Sequence, residues 1–178
     1  MKNTIIIGDR RSGKTTSAVN FVINEALKGK KCIYIAPDLA HLDIARKSFE
    51  EQFKALDIEV TICRLSITNK DKSIDIDLAH TFSNLCGKAY YCAVLDDVDH
   101  HTPSQWKDQL AFWITISVAT STLIRVYLTK GQRIEYRATA RFPFKQSLIH
   151  NYILVDESGD DIIGFPVDLW NIEVLNQK

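Results

Sequence analysis

Short apolar runs alternate along the chain with longer stretches in which apolar residues recur every three or four positions. Thr4 to Ile7 is a β-branched run of the kind that makes a buried strand. Beyond it, Ala18, Val22 and Ala26 share a helical stripe flanked by Val19, Ile23 and Leu27, and Gly29 is placed to stop that helix. Lys31 to Ala36 reads as a second buried strand, ended by Pro37. Asp38 then caps a helix whose apolar stripe is Leu42, Ala45, Phe49, Phe53 and Leu56. Val60 to Leu65 is expected to be a third strand, the polar run Ser66 to Asp77 a surface loop, and 77–86 a short helix. Tyr90 to Leu95 is a fourth apolar run and Leu123 to Leu128 a fifth. Between them, Thr102-Pro103-Ser104 opens a helix with Trp106, Leu110 and Trp113 along a core face. Unbroken apolar strands alternating with helices predict a mainly parallel α/β sheet, flanked by helices and joined by right-handed crossovers.

The period changes after Gly131. Ile134, Tyr136, Ala138, Ala140 and Phe142 alternate with Arg133, Glu135, Arg137, Thr139 and Arg141, a strand with an apolar and a basic face. Asn151 to Val155 and Ile162 to Val167, joined by the turn Glu157 to Asp161, read as a hairpin. Residues 1–130 are thus expected to form the parallel core of one domain over 1–178, and 131–178 an antiparallel extension.

The loop between the first strand and the first helix changes the picture from fold to chemistry. GDRRSGKT, from Gly8 to Thr15, has the form G-x-x-x-x-G-K-[ST] in the strand–turn–helix setting that a phosphate-binding loop requires. Gly8 and Gly13 permit backbone conformations and close approaches that a Cβ obstructs. The amides of Asp9, Arg10, Arg11, Ser12 and the following residues through Thr16 then point at phosphate oxygens, aided by the positive end of the helix. Lys14 supplies a point charge for the β- and γ-phosphates, and the Thr15 hydroxyl a ligand for Mg²⁺. The fourth strand ends in Leu95-Asp96-Asp97-Val98-Asp99-His100, an apolar strand with a carboxylate at its tip. That is the Walker B arrangement, and it assigns Asp96 to the metal shell and Asp97 to the attacking water. Vicinal His100 and His101 point in different directions on most backbones and read as loop residues.

Composition narrows the classes. A chain of 178 residues, 46% hydrophobic and 25% charged, has the make-up of a globular domain. Its formal net charge of zero gives no global pull toward nucleic acid or membrane, so any such preference rests on local patches. Arg125, Lys130, Arg133, Arg137, Arg141 and Lys145 form such a patch against Glu135 alone; beyond 151 the balance turns acidic. Cys32, Cys63, Cys86 and Cys92 lack metal-binding spacing and suit a reducing compartment. No apolar run approaches the ~20 residues of a membrane span, and no leader is expected before the first strand.

With both motifs in view, the chain resembles the ATPase domain of viral large terminases, the motors that package double-stranded DNA. DRRSGKTT is similar to their arginine-bearing loop, KKCIYIAPDLAHLDIARKSF to their second strand and helix, and VLDDVD occupies the place of their metal-binding and catalytic acids. The resemblance covers roughly the first 130 residues. It implies an additional-strand P-loop ATPase that takes ATP with Mg²⁺, assembles with copies of itself or with other packaging proteins, and works in a host cytoplasm. In that family an arginine inside the loop contributes to hydrolysis, which makes Arg10 the first candidate and Arg11 the second. A polar residue at the tip of the strand after the acids senses the γ-phosphate, here Thr129. Asp97 stands where the family has glutamate, one methylene longer, and the segments that would grip adenine or form a nuclease domain are not expected. Two other classes remain open: a small nucleotide or nucleoside kinase with the basic 125–145 segment as lid, and a P-loop switch that binds nucleotide without turnover. The thymidine-kinase form of the first carries a zinc-bound cysteine quartet that this sequence lacks.

Overall fold

The isoleucine run becomes β1 (Asn3–Gly8), a strand hydrogen-bonded in parallel on both sides. The computed structural model describes residues 3–9, 11–80, 88–97, 122–129, 134–141, 147–154 and 170–175. After β1 come α1 (Lys14–Ala26), β2 (Cys32–Ile35) and α2 (Leu39–Ala55). β3 (Thr61–Ile62), β4 (Ser66–Thr68) and β5 (Asp75–Ala79) follow, then β6 (Cys92–Leu95) and β7 (Leu123–Thr129). β8 (Ile134–Arg141), β9 (Ser147–Leu154) and β10 (Trp170–Leu175) complete the order. The main sheet runs β10-β1-β7-β6-β2-β5-β4-β3, parallel from β10 to β5 and antiparallel at the β5-β4-β3 edge. This is the mainly parallel α/β architecture expected of the apolar runs.

The two helices bury the stripes read from their periodicity. Ala18, Val19, Val22, Ile23 and Ala26 of α1 meet Leu42, Ala45, Phe49 and Phe53 of α2 in one cluster with the strands. Tyr34 of β2 meets Phe49 edge-on, with ring centroids 5.4 Å apart. Leu27 and Leu56 depart from the expected stripes: α1 ends at Ala26 and α2 at Ala55, and both leucines, in the C-caps, are exposed. Asp38 does cap α2, its side chain accepting from the His41 amide. Cys32 and Cys92 face each other in register across β2 and β6 as free, fully buried thiols. Among the described residues no helix is long and apolar enough to cross a membrane.

Several expectations are corrected. The segment 66–77 is not a surface loop but contributes β4 and the start of β5, and β5 takes the parallel place beside β2. Ile74, Ile76 and Leu78 are buried at alternate positions, while the intervening acids are matched: Asp75 by Lys31 at 3.1 Å, Asp77 by Lys88 at 2.8 Å and Tyr90 at 2.6 Å. The expected third strand, 60–65, shrinks to β3 at the antiparallel edge, and the expected helix from 77 gives way to strand as far as Ala79. At the other end, β9 pairs antiparallel with β8, from Ile134↔Leu154 to Arg141↔Ser147, so that 151–154 belongs to a hairpin with β8. These two strands form their own sheet rather than widening the core. β10, for which no strand is expected, lies parallel to β1 at the edge of the sheet, with Asn171 and Glu173 exposed. The expected helix after Thr102 and the arm 162–167 lie outside the described residues.

Burial pushes the Asp77 carboxyl up, but Lys88 and Tyr90 pull it down further, leaving it below its ordinary value of 3.8. A depressed carboxyl stabilises the fold above its unfolded pKa and loses that contribution as pH falls through the folded one. Asp77→Ala should therefore destabilise the chain by roughly 1–3 kcal/mol at neutral pH, the cost of losing its hydrogen bonds from Lys88 and Tyr90. In urea titrations the gap to the unsubstituted chain should narrow as pH drops below the ordinary aspartate value. A gap independent of pH refutes the role given to this carboxylate.

Candidate functional site

Parallel strands deliver their C-terminal ends to one edge of a sheet, and there the chain collects its charged and hydroxyl-bearing residues. β1 ends at Gly8, which has no room for a side chain. A Cβ there would lie 2.3 Å from Ser12 Oγ, 3.2 Å from Leu175 Cβ and 3.3 Å from Lys14 Cγ. The chain then turns through Arg11 at φ 65° and Gly13 at φ 80°, two left-handed residues that bracket Ser12. Such alternation of hand brings successive amides to one side of a loop. The Ser12 amide closes the turn onto the Asp9 carbonyl at 3.2 Å. Gly13 is the N-cap of α1; no side chain caps the helix and no acid stands in its first turn, which leaves its positive end for an anion.

Lys14 folds back across this loop. It is buried, and its Nζ donates to the Gly8 carbonyl at 3.3 Å and the Asp9 carbonyl at 3.0 Å. No ion pair joins it among the described residues, so the ammonium is held by neutral dipoles alone. The Ser12 hydroxyl oxygen is enclosed nearby without a hydrogen-bond partner. Asp9, Arg11 and Thr16 are exposed, Thr15 is half-buried, and Arg10 lies outside the described residues.

Asp96 follows β6 directly and is 3% exposed. Its amide donates to the Ile35 carbonyl at 2.9 Å and its Oδ2 accepts from the Tyr34 hydroxyl at 2.5 Å. Its Oδ1 is buried with no partner. Burial pushes this carboxyl above its ordinary value, the Tyr34 and Thr15 hydroxyls pull against that, and the neighbouring Asp97 charge adds to the rise. The Thr15 side chain is therefore at the Asp96 carboxylate, as the sequence motifs require of two groups that share a cation. An enclosed, unpaired carboxylate oxygen beside a hydroxyl is an all-oxygen setting that suits a hard divalent ion. No cluster of three or more His, Cys, Asp or Glu among the described residues could hold a metal by itself. Such a pair fits Mg²⁺, which keeps several waters and takes substrate phosphates as its other ligands.

Asp97 is half-buried and left-handed at φ 47°, a conformation aspartate tolerates better than most residues. His41 Nε2 lies 3.7 Å from its Oδ2. Thr129 ends β7, and its Cα is the register partner of Gly8. That pairing follows from the strand order: β7, which comes after the acids in the chain, is inserted between β1 and β6. Asp99, His100 and His101 lie outside the described residues. Sequence reasoning missed Tyr34, which donates to Asp96, and His41, whose ring lies beside Asp97. A tyrosine in an apolar strand counts as core, and nothing local announces that its hydroxyl has a carboxylate to meet.

No family profile matches the chain. Among solved structures it is similar to a mutant of the large terminase ATPase domain of Thermus phage P74-26, with a TM-score of 0.56 at 14% identity, over 97% of this chain and 75% of that one. The likeness is one of fold: the chain has the α/β architecture of a terminase-like P-loop ATPase domain.

Proposed function

We propose that the chain is a Mg²⁺-dependent nucleoside triphosphatase, with ATP as substrate, coupled to double-stranded DNA in the manner of a genome-packaging motor. The observation that carries this reading is the buried, partnerless Asp96 oxygen beside Thr15, at the mouth of a lysine-bearing loop in a terminase-like fold. The loop amides and the open end of α1 bind the phosphate chain. Lys14 exchanges two neutral carbonyls for a charged partner when a phosphate enters. Thr15 and Asp96 would hold Mg²⁺, which would supply positive charge to offset that of the substrate's phosphates. Tyr34 ties one Asp96 oxygen and so commits the other to the cation. Asp97, at the same strand end, orients the attacking water and accepts its proton, the role that a positioned carboxylate performs in general-base catalysis. Arg10, with Arg11 as second candidate, stabilises charge on the transferring group, and Thr129 registers the γ-phosphate.

The DNA half of the reading rests on the basic 125–145 segment, less one member. Arg125 lies with its guanidinium 3.9 Å from the centre of the Phe21 ring and is spent within the fold. Arg137 and Arg141 on β8, with Lys130, Arg133 and Lys145 by sequence, remain to meet phosphates.

Phosphate release with and without double-stranded DNA tests the whole reading, and stimulation by DNA is expected. A kinase would instead move phosphate to a nucleoside. Lys14→Ala should abolish turnover with the fold intact, and Asp96→Ala should remove the Mg²⁺-dependent part of nucleotide affinity. Unchanged Mg·ATP affinity by calorimetry in both variants overturns the assignment. Asp97→Asn should bind Mg·ATP normally and hydrolyse it at least about tenfold more slowly, the low end for loss of a positioned base. Full activity would transfer the role, with Asp99 next in line. Tyr34→Phe removes a hydrogen bond from the buried Asp96 carboxylate and should cost about 1–3 kcal/mol of stability in the metal-free chain. A denaturation midpoint equal to that of the unsubstituted chain refutes the Tyr34–Asp96 link.

A further inference from the structure

His41 has no part in the chemistry so far, yet its ring is held in place more firmly than a surface histidine requires. Asp38 Oδ1 accepts from the His41 amide at 2.9 Å and meets His41 Nδ1 at 2.8 Å. An ionised carboxylate has no hydrogen to give, so Nδ1 carries it and the ring is tied to the helix cap at two points. That orientation turns Nε2 toward Asp97, 3.7 Å from its Oδ2. The placement follows from the sheet. β2 and β6 are neighbours in register, Ile35 opposite Leu95, so the turns that leave them run side by side. One carries Asp38 and His41, the other Asp97.

We infer that His41 is a positioning residue for the attacking water: it holds the Asp97 carboxylate through Oδ2, and Asp38 sets the ring that does so. The inference rests on the triphosphatase reading above. Asp97 leaves the strand in a left-handed conformation on a short side chain, with the His41 ring beside its carboxylate. The present separation exceeds a hydrogen bond, ~2.7–3.2 Å, by less than an ångström, so a small closing movement completes the contact. In that arrangement the His41 ring lies between two carboxylates, with Nδ1 at Asp38 and Nε2 at Asp97. Holding a group in reacting geometry affects the rate of the chemical step and leaves the phosphate-binding groups untouched, so the expected signature is a change in kcat at constant KM.

Two substitutions separate the ring nitrogens. Asparagine places an amide near the Nδ1 position, facing Asp38; glutamine reaches the Nε2 position, facing Asp97. His41→Asn should lower kcat about tenfold with KM within about twofold, and His41→Gln should recover most of the loss, because a displaced catalytic geometry costs rate rather than affinity. A second readout needs no turnover: in the nucleotide-free chain, the imidazole nitrogen resonances of His41, assigned by their loss in His41→Gln, should shift on Asp97→Asn. Turnover that depends on Lys14 but is equal in both His41 variants and the unsubstituted chain overturns this inference alone. So do His41 resonances indifferent to Asp97, and so does a fall in kcat that tracks lost thermal stability in both variants. Absence of any Lys14-dependent turnover overturns the triphosphatase reading and this inference with it.

Discussion

The burial of one carboxylate at the end of a central strand is the constraint on which the rest of the site depends. Asp96 is almost wholly removed from water, and only one of its oxygens finds a donor. Taking an ionised group out of water is costly unless partners replace the lost solvation. Tyr34 and Thr15 supply part of that replacement, and the outstanding part is positive charge. Lys14 presents the mirror image, a buried ammonium held by carbonyls with no anion among the described residues. The two unmet demands lie along the same edge of the sheet. A phosphate–cation pair answers both at once, which is why neither group alone argues as strongly as the two together.

What keeps them together is the order of the strands. β6 carries the acids and β1 the loop, and β7 between them sets the separation that a substrate must bridge. β2 on the far side of β6 brings Tyr34 beneath Asp96 and the cap of α2 beside Asp97. Each neighbour of β6 therefore serves the acids: one by placing the loop, the other by bringing Tyr34 onto Asp96 and His41 beside Asp97.

How far this was legible from sequence depended on whether the cause was local. Gly8, Gly13, Lys14 and Thr15 are dictated by steric room, backbone hand and charge within a few residues, and the run before Asp96 announces a buried strand. The left-handed turn at Arg11 had no such signal, because arginine is not selected for that conformation. β5 was mistaken for loop because Asp75 and Asp77 look solvated, and their cations stand on other segments, Lys31 and Lys88. β10 shows alternation but nothing that selects β1 as its partner across most of the chain. Tyr34 and His41 failed for the same reason: an aromatic in a strand and a polar residue in a first helical turn look ordinary until a distant acid is placed against them.

The pairing of Leu175 with Gly8 carries a consequence for the birth of the molecule. β1 is made first and is hemmed by β7 and β10, strands made late and last among those described. Pairings so remote in sequence form slowly, since the entropy of closing the intervening chain is lost before any contact rewards it. During synthesis the phosphate loop therefore emerges long before its walls. A ribosome-bound intermediate would hold the glycine turn with one flank open, and nucleotide would be met by the finished sheet rather than by the growing chain.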